Sequence, residues 1–141
     1  MPRRILLLED SRSSAAPVIR ACTGLGWEVV HVENGLEALR ALAGPTRFDA
    51  LVVDFNLPAF QEKTHPLSML ERIPRTYLFE GDSFLAVARC MTDRCPQIII
   101  AFSGLPGNND WLMKAGAVAR IEGKDADGLT RMLATLFTES G

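Results

Sequence analysis

The chain has 141 residues, 48% of them hydrophobic and 23% charged, with a formal net charge of −2. That size suits one domain with its own core, and the near-neutral balance excludes a general electrostatic pull toward nucleic acid or anionic membrane. Its apolar runs fall far short of the roughly 18 residues of a membrane span, and the four apolar residues after Arg4 are too few for a signal peptide.

The first run, Ile5-Leu6-Leu7-Leu8, is continuous rather than alternating, as a parallel strand covered on both faces requires. Val18, Cys22 and Leu25 then share one helical face, closed by Gly24 and Gly26. Pro17 belongs in the first turn of that helix, where a missing N–H costs little. Residues 28–32 form a weaker strand candidate. Leu36, Leu39 and Leu42 follow Asn34, a good helix cap. The next strand is Leu51-Val52-Val53.

Residues 59–80 interrupt the pattern. They separate this strand from its helix by about twenty residues, against the usual 2–6. The segment carries Pro66, Pro74, His65 and a short helical stretch, 67–72, and reads as an insertion with structure of its own. Phe84, Ala88 and Met91 follow Asp82 as a cap. Ile98-Ile99-Ile100-Ala101-Phe102 is the fourth strand, and 118–121 a weaker fifth. Leu129, Met132, Leu133, Leu136 and Phe137 form the clearest amphipathic stripe.

The order is β-α repeated about five times. Right-handed crossovers turn that order into an open parallel sheet with helices on both faces. Sites in such sheets form at the carboxyl ends of the strands. Three cysteines, Cys22, Cys90 and Cys95, lack metal spacing. Cys22 and Cys90 are expected in or near the core, in a reducing, cytoplasmic setting.

The first run ends in Glu9-Asp10, the third strand in Asp54 and the fourth in Ser103, and Lys124 follows the fifth. Each has an ordinary explanation alone: a lone acid caps a helix, Ser103 before Gly104 makes a turn, and Lys124 is a solvated lysine. Their meeting at one sheet edge is harder to explain that way. Mg²⁺ wants hard oxygen ligands and keeps several waters, so one or two direct carboxylates suffice. A cation and a lysine offset the repulsion between an anionic phosphoryl donor and a carboxylate. Crowding carboxylates without a cation raises their pKa values, so the cluster argues for a metal.

The stretch Ile5-Leu6-Leu7-Leu8-Glu9-Asp10-Ser11 resembles the opening of a response-regulator receiver domain with its acidic pair. Asn34-Gly35-Leu36-Glu37-Ala38-Leu39 resembles that family's second-helix signature, and Asp54-Phe55-Asn56-Leu57-Pro58 its phosphoacceptor motif. Residues 98–104 resemble its fourth strand, and Ala115-Gly116-Ala117 the turn before its fifth. The resemblance covers nearly the whole chain except the insertion. It implies a single receiver domain over 1–141, with the flavodoxin-like strand order 2-1-3-4-5. It further implies Asp54 as phosphoacceptor, Ser103 as switch hydroxyl and Lys124 as phosphoryl-contacting lysine. The implied Mg²⁺ site has Asp10 and Asp54 binding directly, Glu9 through water, and Asn56 through its backbone carbonyl.

The chain departs from the family pattern in places. The lysine normally sits seven residues after the glycine matching Gly116; here that place is Gly123, and Lys124 is one later. Asp125 replaces the usual following proline. Arg120 or Ile121, depending on register, replaces the fifth-strand switch aromatic. An inward aromatic swing is therefore not expected. The loop 104–109, rich in glycine and asparagine, or the insertion should read out any activated state.

The expected function is a phosphoacceptor of a two-component phosphorelay, served by a histidine kinase or histidine phosphotransfer protein. It would catalyse its own phosphorylation and dephosphorylation, so calling it an enzyme is a matter of definition. The alternative is a pseudo-receiver that binds partners without phosphate, favoured by the shifted lysine and the insertion. An aspartyl-nucleophile phosphohydrolase is disfavoured because Asn56 stands where its second carboxylate would be. No direct nucleic-acid contact is expected, since no output domain follows the last helix; the chain is a stand-alone receiver or a piece of a longer regulator. The insertion should lie beside the site mouth and modulate partner choice or phosphate lifetime.

Overall fold

A computed structural model of the chain describes residues 2–55 and 81–140. Asn56 and the insertion 59–80, with His65 and the stretch 67–72, lie outside the described residues. The elements in order are β1 (Arg4–Leu8), α1 (Arg12–Gly24), β2 (Glu28–Val32), α2 (Gly35–Ala43), β3 (Ala50–Val53), α3 (Gly81–Ala88), β4 (Ile98–Ala101), α4 (Pro106–Ala115), β5 (Ala119–Arg120), a 3₁₀ turn (Glu122–Lys124) and α5 (Ala126–Ser140).

The strands make one parallel sheet in the expected order, β2-β1-β3-β4-β5. Leu8 pairs with Val53, and Val53 with Ala101, so the first residues after β1, β3 and β4 leave the sheet at the same edge. Successive side chains of a strand point to opposite faces, and both faces here are covered. Leu6, Leu8, Leu51 and Val53 pack with Leu42, Phe84, Leu85 and Leu112 of α2, α3 and α4. Ile5, Leu7, Ala50 and Val52 pack with Val18, Cys22, Leu129, Leu133 and Phe137 of α1 and α5. Burial on both sides explains why the runs are apolar without alternation.

Several expectations need correction. Helix α1 starts earlier than its apolar face implies, because Ser11 caps it by accepting from the Ser14 N–H. Pro17 therefore lies in the second turn, not the first; the carbonyl it leaves without an N–H partner belongs to exposed Ser13. Leu25 sits beyond the last turn and is exposed. Asp82 is inside α3 rather than its cap, since the helix begins at Gly81. Cys22 is buried as expected, but Cys90 follows the end of α3 and is exposed. Cys95 instead packs at the edge of the core. Residues 106–109 are not loop: Pro106 opens α4 at a position where its missing N–H is harmless.

Gly81 fixes where α3 begins. Its N–H donates to the Phe55 carbonyl at 2.9 Å. A Cβ there would stand 2.3 Å from the Asp54 carbonyl oxygen and 3.0 Å from Phe55 Cα. The two described ends flanking 56–80 therefore touch each other, directly behind Asp54.

Candidate functional site

The site is built at the carboxyl edge of the sheet. The Asp54 N–H donates to the Leu8 carbonyl at 3.0 Å, and the Glu9 N–H to the Val32 carbonyl at 3.0 Å. These ladder bonds carry the sheet one residue past β1 and β3, so Glu9 and Asp54 start from rigid backbone. His31 of β2 adds a tie: its Nε2 lies 2.6 Å from the Glu9 carbonyl oxygen. A carbonyl only accepts, so Nε2 carries the proton there.

Glu9 is fully buried and Asp54 is 3% exposed, whereas Asp10 is exposed. Carboxylate oxygens from all three lie within 4.8 Å of one another. Lys124 reaches both buried acids, with Nζ at 2.5 Å from Glu9 Oε1 and 3.3 Å from Asp54 Oδ2. Asp54 Oδ1 accepts from the Phe55 N–H at 2.8 Å. Glu9 Oε2 accepts from the Ser11 N–H at 3.3 Å.

Burial pushes the Glu9 carboxyl up to about 7; the Lys124 hydrogen bond opposes this and the Asp54 charge reinforces it. For Lys124, burial is the largest single influence and works downward. Its bonds and charge pairing with Glu9 and Asp54 together outweigh it, and its pKa is raised.

The extra residue between Gly116 and Lys124 does not keep the lysine out. Gly123 and Lys124 both take left-handed backbone, with φ of 64° and 55°, and the 3₁₀ turn they form takes up the added length. For a non-glycine residue that conformation costs about 1–2 kcal/mol, and the two charge-assisted bonds of Lys124 offset it. The stem of Lys124 runs past Gly104, where a Cβ would lie 4.0 Å from its Cε.

Ser103 is buried at the same edge, and its Oγ accepts from the Leu105 N–H at 3.3 Å. Of the two candidates for the switch position, Ile121 is buried and Arg120 turns outward. Arg120 pairs with Asp110 and Glu122 and donates to the Pro106 carbonyl at 2.9 Å.

The structure thus brings together Glu9, Asp10, Asp54 and Lys124, and places Ser103 on the same edge. Sequence reasoning missed His31, Gly81 and Asn109, each of which acts on a site residue's backbone. The three carboxylates could hold one hard divalent cation. Their donors are all oxygen, the ligand type that Mg²⁺ takes.

No family model matches the chain. A response regulator receiver protein from Anaeromyxobacter sp. (strain Fw109-5) is 41% identical over 71 residues, or 49% of this chain and 29% of that protein. The chain therefore matches under a third of that relative's length. Many solved structures are similar in fold, among them the following three. A CheY-like response regulator receiver domain protein from Methanospirillum hungatei JF-1 has a TM-score of 0.74 at 19% identity, covering 99% of this chain and 96% of that one. The signal receiver domain of a signal transduction histidine kinase from Syntrophus aciditrophicus has a TM-score of 0.72 at 21% identity, covering 97% and 91%. The chemotaxis protein CheY4 of Vibrio cholerae has a TM-score of 0.71 at 20% identity, covering 96% and 98%. No described helix is long and apolar enough to cross a membrane.

Proposed function

We propose that this chain, a receiver domain by its fold, accepts a phosphoryl group on Asp54 from a phosphohistidine of a histidine kinase or phosphotransfer protein. The observation that carries this reading is the buried carboxylate of Asp54 facing an ammonium and two further acids at the edge where parallel sheets place their sites. An Asp54 oxygen attacks phosphorus, the P–N bond breaks, and the imidazole leaves as the neutral base after taking a proton. Lys124 exchanges its contact with Glu9 for a phosphoryl oxygen, and the Ser103 hydroxyl donates to another. Mg²⁺ held by Asp10, Asp54, Glu9 through water and the Asn56 carbonyl would neutralise charge on the transferring group. Hydrolysis of the acyl phosphate returns the free carboxylate, so the chain turns itself on and off in a cytoplasmic signalling relay.

Lys124 Nζ lies 3.3 Å from Asp54 Oδ2 despite its shifted place, and this contact supports the phosphoacceptor reading over a pseudo-receiver. Incubation with acetyl phosphate and Mg²⁺ tests the reading. One acid-labile phosphate per chain is expected, and no uptake under conditions where Mg²⁺ binds would favour the pseudo-receiver instead.

The Glu9 carboxyl makes metal binding depend on pH. Its proton must leave for the acid to serve the ion, so Mg²⁺ affinity should fall by up to about tenfold per pH unit below 7 and level off above it. Glu9→Gln should flatten that profile, and Asp10→Ala should weaken binding more than Glu9→Ala. Calorimetric titration in buffers of different ionisation heat measures both affinity and proton release. A wild-type profile that is flat between pH 5.5 and 7.5 would contradict the assignment.

A further inference from the structure

Strands β4 and β5 run together through Ile100–Ala119 and Ala101–Arg120, and the Ile121 N–H donates to the Ala101 carbonyl at 2.9 Å. The next bond of a parallel ladder would join the Ser103 N–H to the Ile121 carbonyl. The side chain of Asn109 occupies that place instead. Its Oδ1 accepts from the Ser103 N–H at 2.8 Å, and its Nδ2 donates to the Ser103 carbonyl at 3.1 Å and the Ile121 carbonyl at 3.2 Å. The residue is fully buried, and both of its amide protons are used.

A side-chain amide from the first turns of α4 is thus interleaved between the ends of two strands. One strand end carries Ser103. The other leads through Ile121 into the turn that presents Lys124. Removing the amide would let the two strands close by one rung or leave three buried backbone groups without partners, and either moves Ser103 relative to the turn. The acids stand apart from this arrangement, because Glu9 and Asp54 are tied to β2 and β1.

We propose that Asn109 is a positioning residue that holds Ser103 and the Lys124 turn at their working places around Asp54. The inference rests on the phosphoacceptor reading for its consequence, while its geometry is independent of it. Outside the same rung, Arg120 ties β5 to the Pro106 carbonyl and to Asp110. Ser103, the start of α4 and the end of β5 consequently move as one body, in place of the separate swing of an aromatic side chain.

The test compares wild type with Asn109→Ala and Asn109→Asp. The aspartate keeps the acceptor for Ser103 and removes both donors, so it serves if the alanine variant fails to fold. The expected result is Mg²⁺ affinity within about twofold of wild type, with beryllofluoride binding weaker by about 10- to 100-fold, the scale of a small misplacement. Amide resonances of Ser103, Ile121 and Lys124 should shift while those of Glu9 and Asp54 hold. Unchanged beryllofluoride binding would overturn the proposal, as would parallel loss of Mg²⁺ and beryllofluoride binding in a folded variant. If the wild type itself ignores beryllofluoride, the phosphoacceptor reading fails. The resonances then decide alone: shifts confined to Ser103, Ile121 and Lys124 support the positioning role, and no shift at Ser103 and Lys124 overturns it.

Discussion

Asp54→Asn should take up no phosphoryl group from acetyl phosphate while keeping the wild-type fold. The substitution preserves shape, and the amide oxygen can still accept from the Phe55 N–H that Asp54 Oδ1 engages at 2.8 Å. The main-chain bond from residue 54 to the Leu8 carbonyl is untouched. What disappears is the anionic nucleophile, together with an acceptor for Lys124, which retains Glu9. Loss of one charge-assisted hydrogen bond costs about 1.5–3 kcal/mol, too little to unfold a domain whose stability is about 5–15 kcal/mol. Mg²⁺ binding should weaken as well, since one of three carboxylates is gone. The measurement is hydroxylamine-sensitive, acid-labile phosphate per folded chain. A variant that still carries one phosphate would place the acceptor elsewhere.

Gly81→Ala should damage the same site from behind, without altering any charged group. A Cβ at this position meets the Asp54 carbonyl oxygen at 2.3 Å, with Phe55 Cα and Leu112 Cδ2 both at 3.0 Å. Two of these three atoms are backbone, so no side chain can rotate away to make room. Either α3 backs off and loses the bond to the Phe55 carbonyl, or β3 shifts and carries Asp54 with it. Overpacking of this kind costs about 1–3 kcal/mol, and the 2.3 Å approach to a backbone oxygen argues for the upper end. Urea unfolding followed by circular dichroism should show a lower midpoint. Phosphoryl uptake by the protein that remains folded should be slowed about 10-fold or more, because a displaced carboxylate misses its attack geometry. Wild-type stability together with wild-type uptake would mean that the close approach at Gly81 relaxes freely.

Much of this arrangement was legible in the sequence, for a physical reason. Parallel strands covered on both faces must be apolar throughout, so residues 5–8, 51–53 and 98–102 declared themselves, and the polar residue ending each run marked the site edge. Glu9, Asp10, Asp54 and Ser103 are found on that basis alone. The weak fifth strand was harder, since only Ala119 and Arg120 pair as strand. Counting residues along it left Lys124 in doubt. The left-handed pair Gly123–Lys124 resolves that doubt, and only Gly123 offered any hint of it.

The supporting residues were not legible because they act through backbone atoms of segments far apart in the chain. Asn109 sits in a polar stretch and reads as a turn residue; nothing local says that its amide fills a missing ladder bond. His31 looks like an outward residue of an edge strand until Glu9 is placed beside it. Gly81 follows a long insertion, and its need to lack a Cβ exists only once Asp54 and Phe55 are behind it. Cys90 was misjudged for a related reason. Where α3 stops decides which cysteine faces the core, and helix ends are the least legible part of a helix.

Because Phe55 and Gly81 meet, the two described chain ends that flank residues 56–80 stand at a single point. The entropy of bringing two chain ends together grows only with the logarithm of the flexible length between them, about 0.6 kcal/mol for each doubling. That is less than the roughly 0.8 kcal/mol gained by burying one methylene. Natural selection can therefore lengthen, shorten or replace this stretch of the gene almost freely as far as folding is concerned. A laboratory graft of foreign sequence between Phe55 and Gly81 should be tolerated on the same grounds, with every change delivered next to Asp54.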